Sequence, residues 1–345
     1  MATCSTSAWV SKRSVARTTL VLTQPDIERV IDMRDAIRII ARAFMAQAKG
    51  ETVMPPKVYL PLPQGSDFRA MPAYVASPAC CGMKWVNVHP RNPSKGLPTV
   101  MGTLIINDPK TGFALAVMDG LSITRLRTGA AAGVAAKALA RRDTRLVGLI
   151  GCGAQAFDQI WALAELFRVR EVKVWGYRPG EAARWCRSAA RRLAVSWTPV
   201  KTVQDAVVDA DLVVTVTPSR RPLVKRAWVK PGTHINAIGA DAPGKQELDP
   251  QILRDATVIV DDRKQAVHGG EVNVPLAKGV VRLQHIHATL GEVLLGRVAG
   301  RTRAEELTVF DSTGIAVHDV ALGYEVFRRA GRARRGHAVR FFSTP

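Results

Sequence analysis

One stretch of the chain, residues 145–166, constrains the fold more than any other. Leu146 to Ile150 is an apolar, strand-like run, the loop Gly151-Cys152-Gly153-Ala154-Gln155 follows it, and apolar residues at helical spacing come next. In an open parallel sheet, this order of strand, glycine turn and helix places the pyrophosphate of a dinucleotide on the helix N-terminus. Gly151 permits the turn, and Gly153 lets the backbone approach the phosphates. We therefore predict a site for NAD or NADP; a glycine turn without a ligand is the alternative.

The rest of the chain indicates two domains, as expected for 345 residues. From about residue 122 to 306, strand and helix patterns alternate, which is typical of a doubly wound parallel sheet. The first 120 residues instead predict helices followed by strands with tight turns. The fold class is therefore α/β, with a Rossmann domain (122–306) and an α+β substrate and dimerisation domain. We assign residues 18–121 and 307–345 to the second of these, and we predict that residues 1–17 form a disordered tail.

Polar residues follow several predicted strands of the Rossmann domain, where ligands of such sheets bind. Gly239, Ala240 and Asp241 follow the strand His234 to Ile238, and Lys245 lies four residues further on. Asp241 is therefore placed where it could take part in a reaction on a bound ligand. The alternative is that its carboxylate caps a turn. Asp261 and Asp262 follow a later strand and are interpreted as a turn.

Four cations stand where a purely structural role is less expected. Lys57 follows two prolines, and Arg69 and Lys84 have apolar neighbours. Each alone is more often a solvated side chain on the polar face of a strand. Arg127, however, lies in the first turns of a helix predicted from Ser122, where a cation opposes the helix dipole by about 0.3–1 kcal/mol. An anionic ligand would compensate for this cost, so the four cations together predict an anionic substrate.

The composition narrows the function classes. The net charge is +20, but the basic residues are spread along the chain without aromatic interleaving, so we do not expect a nucleic-acid partner. No apolar run is long enough to cross a bilayer. Five cysteines without a C-x-x-C motif suit a reducing compartment, and we expect a cytoplasmic protein. His285 and His287 have no third ligand at useful spacing, so no metal site is predicted.

Several longer motifs follow one another in a fixed order. They are MPPKVYLPL (Met54 to Leu62), DFRAMPAY (Asp67 to Tyr74), MKWVNVHPRNPSKGLPTV (Met83 to Val100), AVMDG and LRTGAA (around Asp119 and Arg127), IGCGAQA, THINAIGADAPGKQELD (Thr233 to Asp249), VDDRKQAVHGGEVN and FDSTGIAVHDVA (Phe310 to Ala321). Together they resemble the ornithine cyclodeaminase and mu-crystallin family, most closely its archaeal-type alanine dehydrogenase branch. The resemblance covers the chain from about Thr18 to near the C-terminus.

The resemblance implies a homodimer and a set of site residues. Lys57, Lys84 and Asp241 would be catalytic, with Lys57 the proton donor and acceptor, and Arg69 and Arg127 would bind the substrate. The residues that would hold the cofactor are Thr128, Gly151, Gly153, Ala154, Gln155, Gly176, Tyr177, Arg178, Gly239, Ala240, Lys245 and Ser312.

The activity that the resemblance implies first is the reversible NAD(P)-dependent deamination of L-alanine to pyruvate and ammonia. An ornithine cyclodeaminase, a ketimine reductase and a mu-crystallin-like binding protein are the alternatives. Lys57 favours the dehydrogenase, because the cyclodeaminase branch tends to carry arginine at the matching place. This chain has Gly176 where the alanine dehydrogenase branch tends to have an aspartate. The carboxylate of that aspartate selects against NADP. With Arg178 nearby, we therefore expect NADP to be accepted at least as well as NAD.

Overall fold

The computed structural model describes residues 18–342, so the predicted tail at residues 1–17 lies outside the described residues. The N-terminal elements are β1 (Thr19–Leu22), α1 (Gln24–Glu28), α2 (Met33–Ala48), β2 (Thr52–Val53), β3 (Val58–Leu62), β4 (Ser66–Ala76), β5 (Ala79–Val88), β6 (Val100–Asn107) and β7 (Ala114–Asp119). The long helix α3 (Gly120–Leu139) follows them.

The alternating β-α elements begin after α3. They are β8 (Leu146–Ile150), α4 (Ala156–Ala164), β9 (Glu171–Trp175), α5 (Glu181–Ala190), β10 (Ser196–Pro199), α6 (Val203–Val207), β11 (Leu212–Thr215), β12 (His234–Ala237), α7 (Pro250–Asp255), β13 (Thr257–Val260), α8 (Arg263–Gly269), α9 (Asn273–Ala277), β14 (Ile286–Thr289), α10 (Leu290–Leu294) and β15 (Thr308–Asp311). The chain continues with α11 (Ala316–Arg332) and β16 (His337–Val339), and short 3₁₀ turns cover Pro63–Gly65, Asn92–Lys95, Arg226–Trp228 and Leu283–His285.

The strands form two sheets, of which the first contains β1 to β7 and β16. The second sheet has the strand order β10-β9-β8-β11-β12-β15-β13-β14, and its pairings are parallel. Its strands are nearly continuous apolar runs because helices cover both faces of a parallel sheet. The order of the first five strands is that of a Rossmann fold, in which the direction of winding reverses between β8 and β11. The carboxyl ends of β8, β11 and β12 therefore meet at one edge, which is where the predicted cofactor residues lie.

The first sheet has the strand order β16-β1-β7-β6-β5-β4-β2, and β3 pairs with β4. Its pairings are antiparallel except that β1 runs parallel to β7. Helix α11 packs across β4 and β5 and against α2. The C-terminal segment thus returns to the first sheet only from α11 onward.

Strand β15 corrects one sequence-based prediction. The sequence assigns residues 307–345 to the substrate and dimerisation domain, but β15 pairs with β12 and β13 in the second sheet, and its four residues are buried. The prediction is wrong here because β15 inserts between strands that precede it in the chain, which no local pattern reveals. The boundary between the two sheets lies after β15 instead of before it.

Helix α3 joins the two sheets and begins two residues earlier than predicted. Asp119 caps it by accepting hydrogen bonds from the backbone amides of Leu121 and Ser122. Its small residues allow a close approach to α4: a Cβ added at Gly129 would lie 2.4 Å from the carbonyl oxygen of Asp158. The helix therefore packs closely against α4 and contacts β6 of the first sheet and β12 of the second.

Candidate active site

The four predicted cations converge between the two sheets. Lys57 precedes β3, Arg69 lies on β4, Lys84 on β5 and Arg127 on α3. Their charges interact, since Arg127 and Arg69 both lower the pKa of Lys57 and Lys57 lowers the pKa of Lys84. The structure therefore brings these four residues together, and their role in binding a substrate stays a prediction.

Asp241 connects the second sheet to this group. Its carboxylate accepts a hydrogen bond from Arg69 Nη1 at 2.8 Å and another from Lys245 Nζ. Burial would raise the pKa of Asp241, but the neighbouring cations outweigh it, chiefly Lys245 and then Arg69, and hold that pKa well below its usual range. Arg69 also donates to Asp67, from Nε at 2.9 Å and from Nη2 at 3.1 Å. Asp241 is thus an ionised ion-pair partner, and a proton-accepting role for it stays a prediction.

Lys57 is the group best suited to move a proton. Burial lowers the pKa of its ammonium from 10.5 to about 8, and its Nζ donates a hydrogen bond to the backbone oxygen of Thr313 at 2.7 Å. A lysine with a pKa close to the working pH exchanges its proton readily. Lys57 therefore has the protonation behaviour expected of a general base.

Lys84 and Arg127 share a buried carboxylate, Asp319 of α11. Asp319 Oδ1 accepts from Lys84 Nζ at 2.7 Å and from Arg127 Nε at 3.1 Å. Burial lowers the pKa of Lys84 to about 7. Arg127 therefore has a protein carboxylate as a partner, and the anionic ligand that the sequence predicts for it stays a prediction. The sequence reasoning missed Asp319, although a carboxylate on the apolar face of an amphipathic helix is a detectable signal.

Asp261 is a second residue that the sequence reasoning missed. It was interpreted as part of a turn, but its buried carboxylate accepts hydrogen bonds from the backbone amide of Gly314 at 2.7 Å and from Thr313 Oγ1 at 2.9 Å. Ser312, a predicted cofactor contact, is also buried and places its hydroxyl 3.5 Å from Asp261. Asp261 therefore shapes the loop that offers the Thr313 carbonyl to Lys57.

A cavity of about 770 Å³ opens beside these residues. Lys57 and Asp241 line it together with Tyr59, His268 and Thr313. Arg69 donates a hydrogen bond to Asp241 on the cavity wall, and its guanidinium lies 5.3 Å from the centre of the Tyr59 ring. Lys57 therefore lies on the wall of a cavity that has room for a small molecule.

The glycine loop has the features of a phosphate cradle. Gly151 has a φ of +101°, and a Cβ there would lie 2.9 Å from Thr217 Cγ2, so a side chain would be strained and crowded. Around Gly153 the space is open, and Ala154 is exposed. The N-terminus of α4 has no side-chain cap, and the buried Oε1 of Gln155 makes no hydrogen bond within residues 18–342. These features fit the phosphates of a dinucleotide.

The remaining predicted cofactor residues lie along the same edge or behind it. Gly239 is enclosed, since a Cβ would lie 2.1 Å from the Thr217 oxygen, and Glu247 accepts a hydrogen bond from its amide at 2.8 Å. Ala240 is buried. Thr128 donates its hydroxyl hydrogen to the Thr124 oxygen at 2.6 Å. Tyr177 and Arg178 are exposed after β9, next to Gly176.

Two other observations bear on the function classes. In the part of the chain that the structure describes, no group of three or more His, Cys, Asp or Glu side chains is placed to hold a metal ion. His287 Nε2 instead lies 3.0 Å from the Ala299 oxygen. Among residues 18–342, no helix has the length and apolar character needed to cross a membrane.

Comparison with known proteins identifies the family. The model of the ornithine cyclodeaminase/mu-crystallin family matches residues 17–333. The chain belongs to this family. It is 49% identical to an alanine dehydrogenase of Archaeoglobus fulgidus, over 94% of this chain and 99% of that protein. The family resemblance predicted from the motifs is confirmed.

Two solved structures are similar over nearly the whole chain. One, described as an archaeal alanine dehydrogenase dimer with bound NAD, has a TM-score of 0.90 and 48% identity, covering 94% of this chain and 100% of that one. The other is a Δ1-pyrroline-2-carboxylate reductase of Thermococcus litoralis in complex with NADH and L-proline, with a TM-score of 0.90 and 33% identity, covering 92% of this chain and 99% of that one. The predicted Rossmann fold and the prediction of an enzyme are confirmed, and both relatives hold the type of cofactor predicted for this chain.

Proposed function

We propose that this chain is an NAD(P)-dependent L-alanine dehydrogenase that works as a homodimer. The observation that carries the proposal is Lys57, a half-buried lysine with a pKa of about 8 on the wall of the cavity. The similarity to alanine dehydrogenases at 49% and 48% identity supports the choice of substrate.

The two arginines have different amounts of free hydrogen-bonding capacity. Arg69 uses Nε and both terminal nitrogens on Asp67 and Asp241. Arg127 uses Nε on Asp319, whereas its terminal nitrogens make no hydrogen bond within residues 18–342. A guanidinium with two free parallel donors binds a carboxylate in a forked geometry. We therefore assign the substrate carboxylate to Arg127 and the positioning of Asp241 to Arg69.

Lys57 then acts on the substrate nitrogen. In its neutral form it accepts a proton from the substrate ammonium, because an amine must be neutral before its Cα can lose a hydride. A bound nicotinamide would supply the hydride acceptor. Water adds to the resulting iminium carbon, and Lys57 relays a proton to the departing ammonia. Pyruvate and ammonia are the products.

The dimer is proposed to form through the first sheet. Val58 and Leu60 of β3 are 62% and 49% exposed, and the adjacent Val53 of β2 is 61% exposed. Both strands pair with β4, and exposed aliphatic side chains clustered in this way are typical of an interface between copies. A molar mass of one chain in multi-angle light scattering would refute this arrangement.

The second candidate is a reaction on a larger substrate, ornithine cyclisation or reduction of a cyclic imine. The cavity of about 770 Å³ exceeds what alanine alone requires, and the similar reductase structure contains L-proline. A lapsed enzyme that only binds its cofactor is disfavoured, because Lys57, Arg69, Lys84 and Asp241 are all present.

A panel of amino acids with either nicotinamide tests the proposal, with reduced nicotinamide, ammonia and proline measured together. L-Alanine should give equal amounts of reduced nicotinamide and pyruvate, and ornithine should give no proline. Lys57→Ala should lower kcat strongly with little change in cofactor affinity. Lys264→Ala is the matched control, since Lys264 lines the same cavity. Proline formed without net cofactor reduction would move the assignment to a cyclodeaminase.

A further inference from the structure

The end of β9 is built differently from the usual NAD site. A carboxylate that follows this strand normally accepts a hydrogen bond from the ribose 2′-hydroxyl, and here the position is Gly176. A Cβ at Gly176 would lie 2.7 Å from Cys152 Sγ and 3.1 Å from the Ala182 amide nitrogen. The side chain of the glycine loop and the start of α5 therefore fill the space that an aspartate would need.

A carboxylate nevertheless reaches this place from α5. Glu181 is the first residue of α5 and is half-buried. Its Oε2 lies 3.1 Å from the position of a Cβ at Gly176 and accepts a hydrogen bond from the Arg178 amide at 3.1 Å. It also faces the glycine loop: burial first, and then the charge of Glu181, raise the pKa of Cys152 to about 11. Glu181 thus lies between the glycine loop and the end of β9.

We propose that Glu181 replaces the missing aspartate as the residue that selects NAD over NADP. Its carboxylate accepts the hydrogen bond of the ribose 2′-hydroxyl and repels a 2′-phosphate. The hydrogen bond from the Arg178 amide holds this carboxylate in place at the N-terminus of α5. This inference uses the nucleotide site of the proposed function and is independent of the amino-acid substrate.

The sequence alone favours the opposite preference, because it shows only that Gly176 lacks a charge. The side chain of Arg178 is exposed and forms no ion pair in the described part of the chain, so it is available to a phosphate. Arg184, whose Nη1 would lie 3.1 Å from a Cβ at Gly180, adds positive charge. Glu181 is closer than either guanidinium to the Gly176 position and, unlike them, is fixed by a backbone hydrogen bond. We therefore expect the carboxylate to decide the selectivity.

Equilibrium binding tests this directly, without any turnover. Dissociation constants for NAD⁺ and NADP⁺ are measured by calorimetry on the wild-type chain, Glu181→Gln and Glu171→Gln. Glu171 is the matched control because it starts β9 at the opposite edge of the sheet and accepts a hydrogen bond from Thr198 at 2.6 Å. The wild-type chain should bind NAD⁺ at least tenfold more tightly than NADP⁺. Glu181→Gln should reduce this ratio at least tenfold, chiefly by improving NADP⁺ binding, and Glu171→Gln should leave it unchanged.

The adenosine fragments 5′-AMP and 2′,5′-ADP provide a second measurement that needs no variant. The wild-type chain should bind 5′-AMP more tightly than 2′,5′-ADP. Equal or better binding of 2′,5′-ADP or NADP⁺ would overturn the proposal, as would an unchanged ratio in a folded Glu181→Gln variant. Neither result would affect the assignment of L-alanine as substrate. Conversely, inactivity toward L-alanine would leave the nucleotide selectivity standing.

Discussion

Replacing Asp319 by asparagine removes the one negative charge shared by two buried cations. Lys84 and Asp319 are 1% and 0% exposed, and Arg127 is 7% exposed. The amide keeps the shape of the carboxylate but leaves Arg127 without a counter-charge, because a guanidinium does not deprotonate. Removing one partner of a buried ion pair costs about 3–5 kcal/mol. We expect a loss of unfolding free energy of that size at pH 6.

The loss should depend on pH because Lys84 titrates. Burial lowers the pKa of Lys84 from 10.5 to about 7, so below pH 7 the folded wild-type chain binds this proton with the help of Asp319. In Asp319→Asn the pKa falls further, and the folded variant stays neutral at pH 6 while the unfolded chain binds the proton. As the pH decreases toward 6, the free energy of unfolding therefore falls more steeply in the variant than in the wild-type chain, by up to about 1.4 kcal/mol per pH unit. Between pH 8.5 and pH 6 the difference from wild type should grow by about 1 kcal/mol.

Urea unfolding followed by tryptophan fluorescence at pH 6 and pH 8.5, at one protein concentration, measures both effects. Asp35→Asn is the control, because Asp35 pairs with Arg38 and Arg329 near the surface. It should cost at most about 1 kcal/mol and equally at both pH values. A loss below 1 kcal/mol for Asp319→Asn at pH 6, or an identical loss at both pH values, would refute the reasoning.

Three further predictions concern the base, the helix packing and the glycine loop. The kcat/KM for oxidative deamination should rise as pH increases through about 8, where Lys57 becomes neutral, and stopped assays across pH should show this inflection lost in Lys57→Met. Gly129→Ala should lower the unfolding free energy by about 1–3 kcal/mol because its Cβ would overlap α4. The control Gly331→Ala in α11, with nothing within 4 Å, should raise it by up to about 1 kcal/mol. Gly151→Ala should weaken NAD⁺ binding at least tenfold in calorimetry, and unchanged affinity would argue against the cradle.

The Rossmann domain was predictable because its strands carry a local signal. The bounds of β8 agree with the prediction, since it is a short apolar run ended by glycine. The place of β15 between β12 and β13 instead depends on contacts between distant segments of the chain. Strand β1 was not predicted at all, because its four residues gain their pairing only from β7 and β16.

The sequence predicted those site residues that are charged and have apolar neighbours in the chain. Lys57 and Lys84 stand out because cations between apolar neighbours are costly to bury. Asp319 is visible only as a carboxylate on the apolar face of α11. Asp261 does not stand out, because an acidic residue after a strand usually caps a turn. Glu181 is hidden for the same reason, and only the close approach of Cys152 to Gly176 reveals its position.

The central claim is that hydride leaves Cα of L-alanine and is retained by the cofactor. The most direct measurement incubates the wild-type enzyme with L-[2-²H]alanine and NAD⁺ and follows the deuterium by mass spectrometry. We expect one deuterium in each reduced nicotinamide released, in equal amount to pyruvate. Undeuterated cofactor after incubation with L-[2-²H]alanine, together with proline that retains deuterium from L-[2-²H]ornithine, would contradict the account.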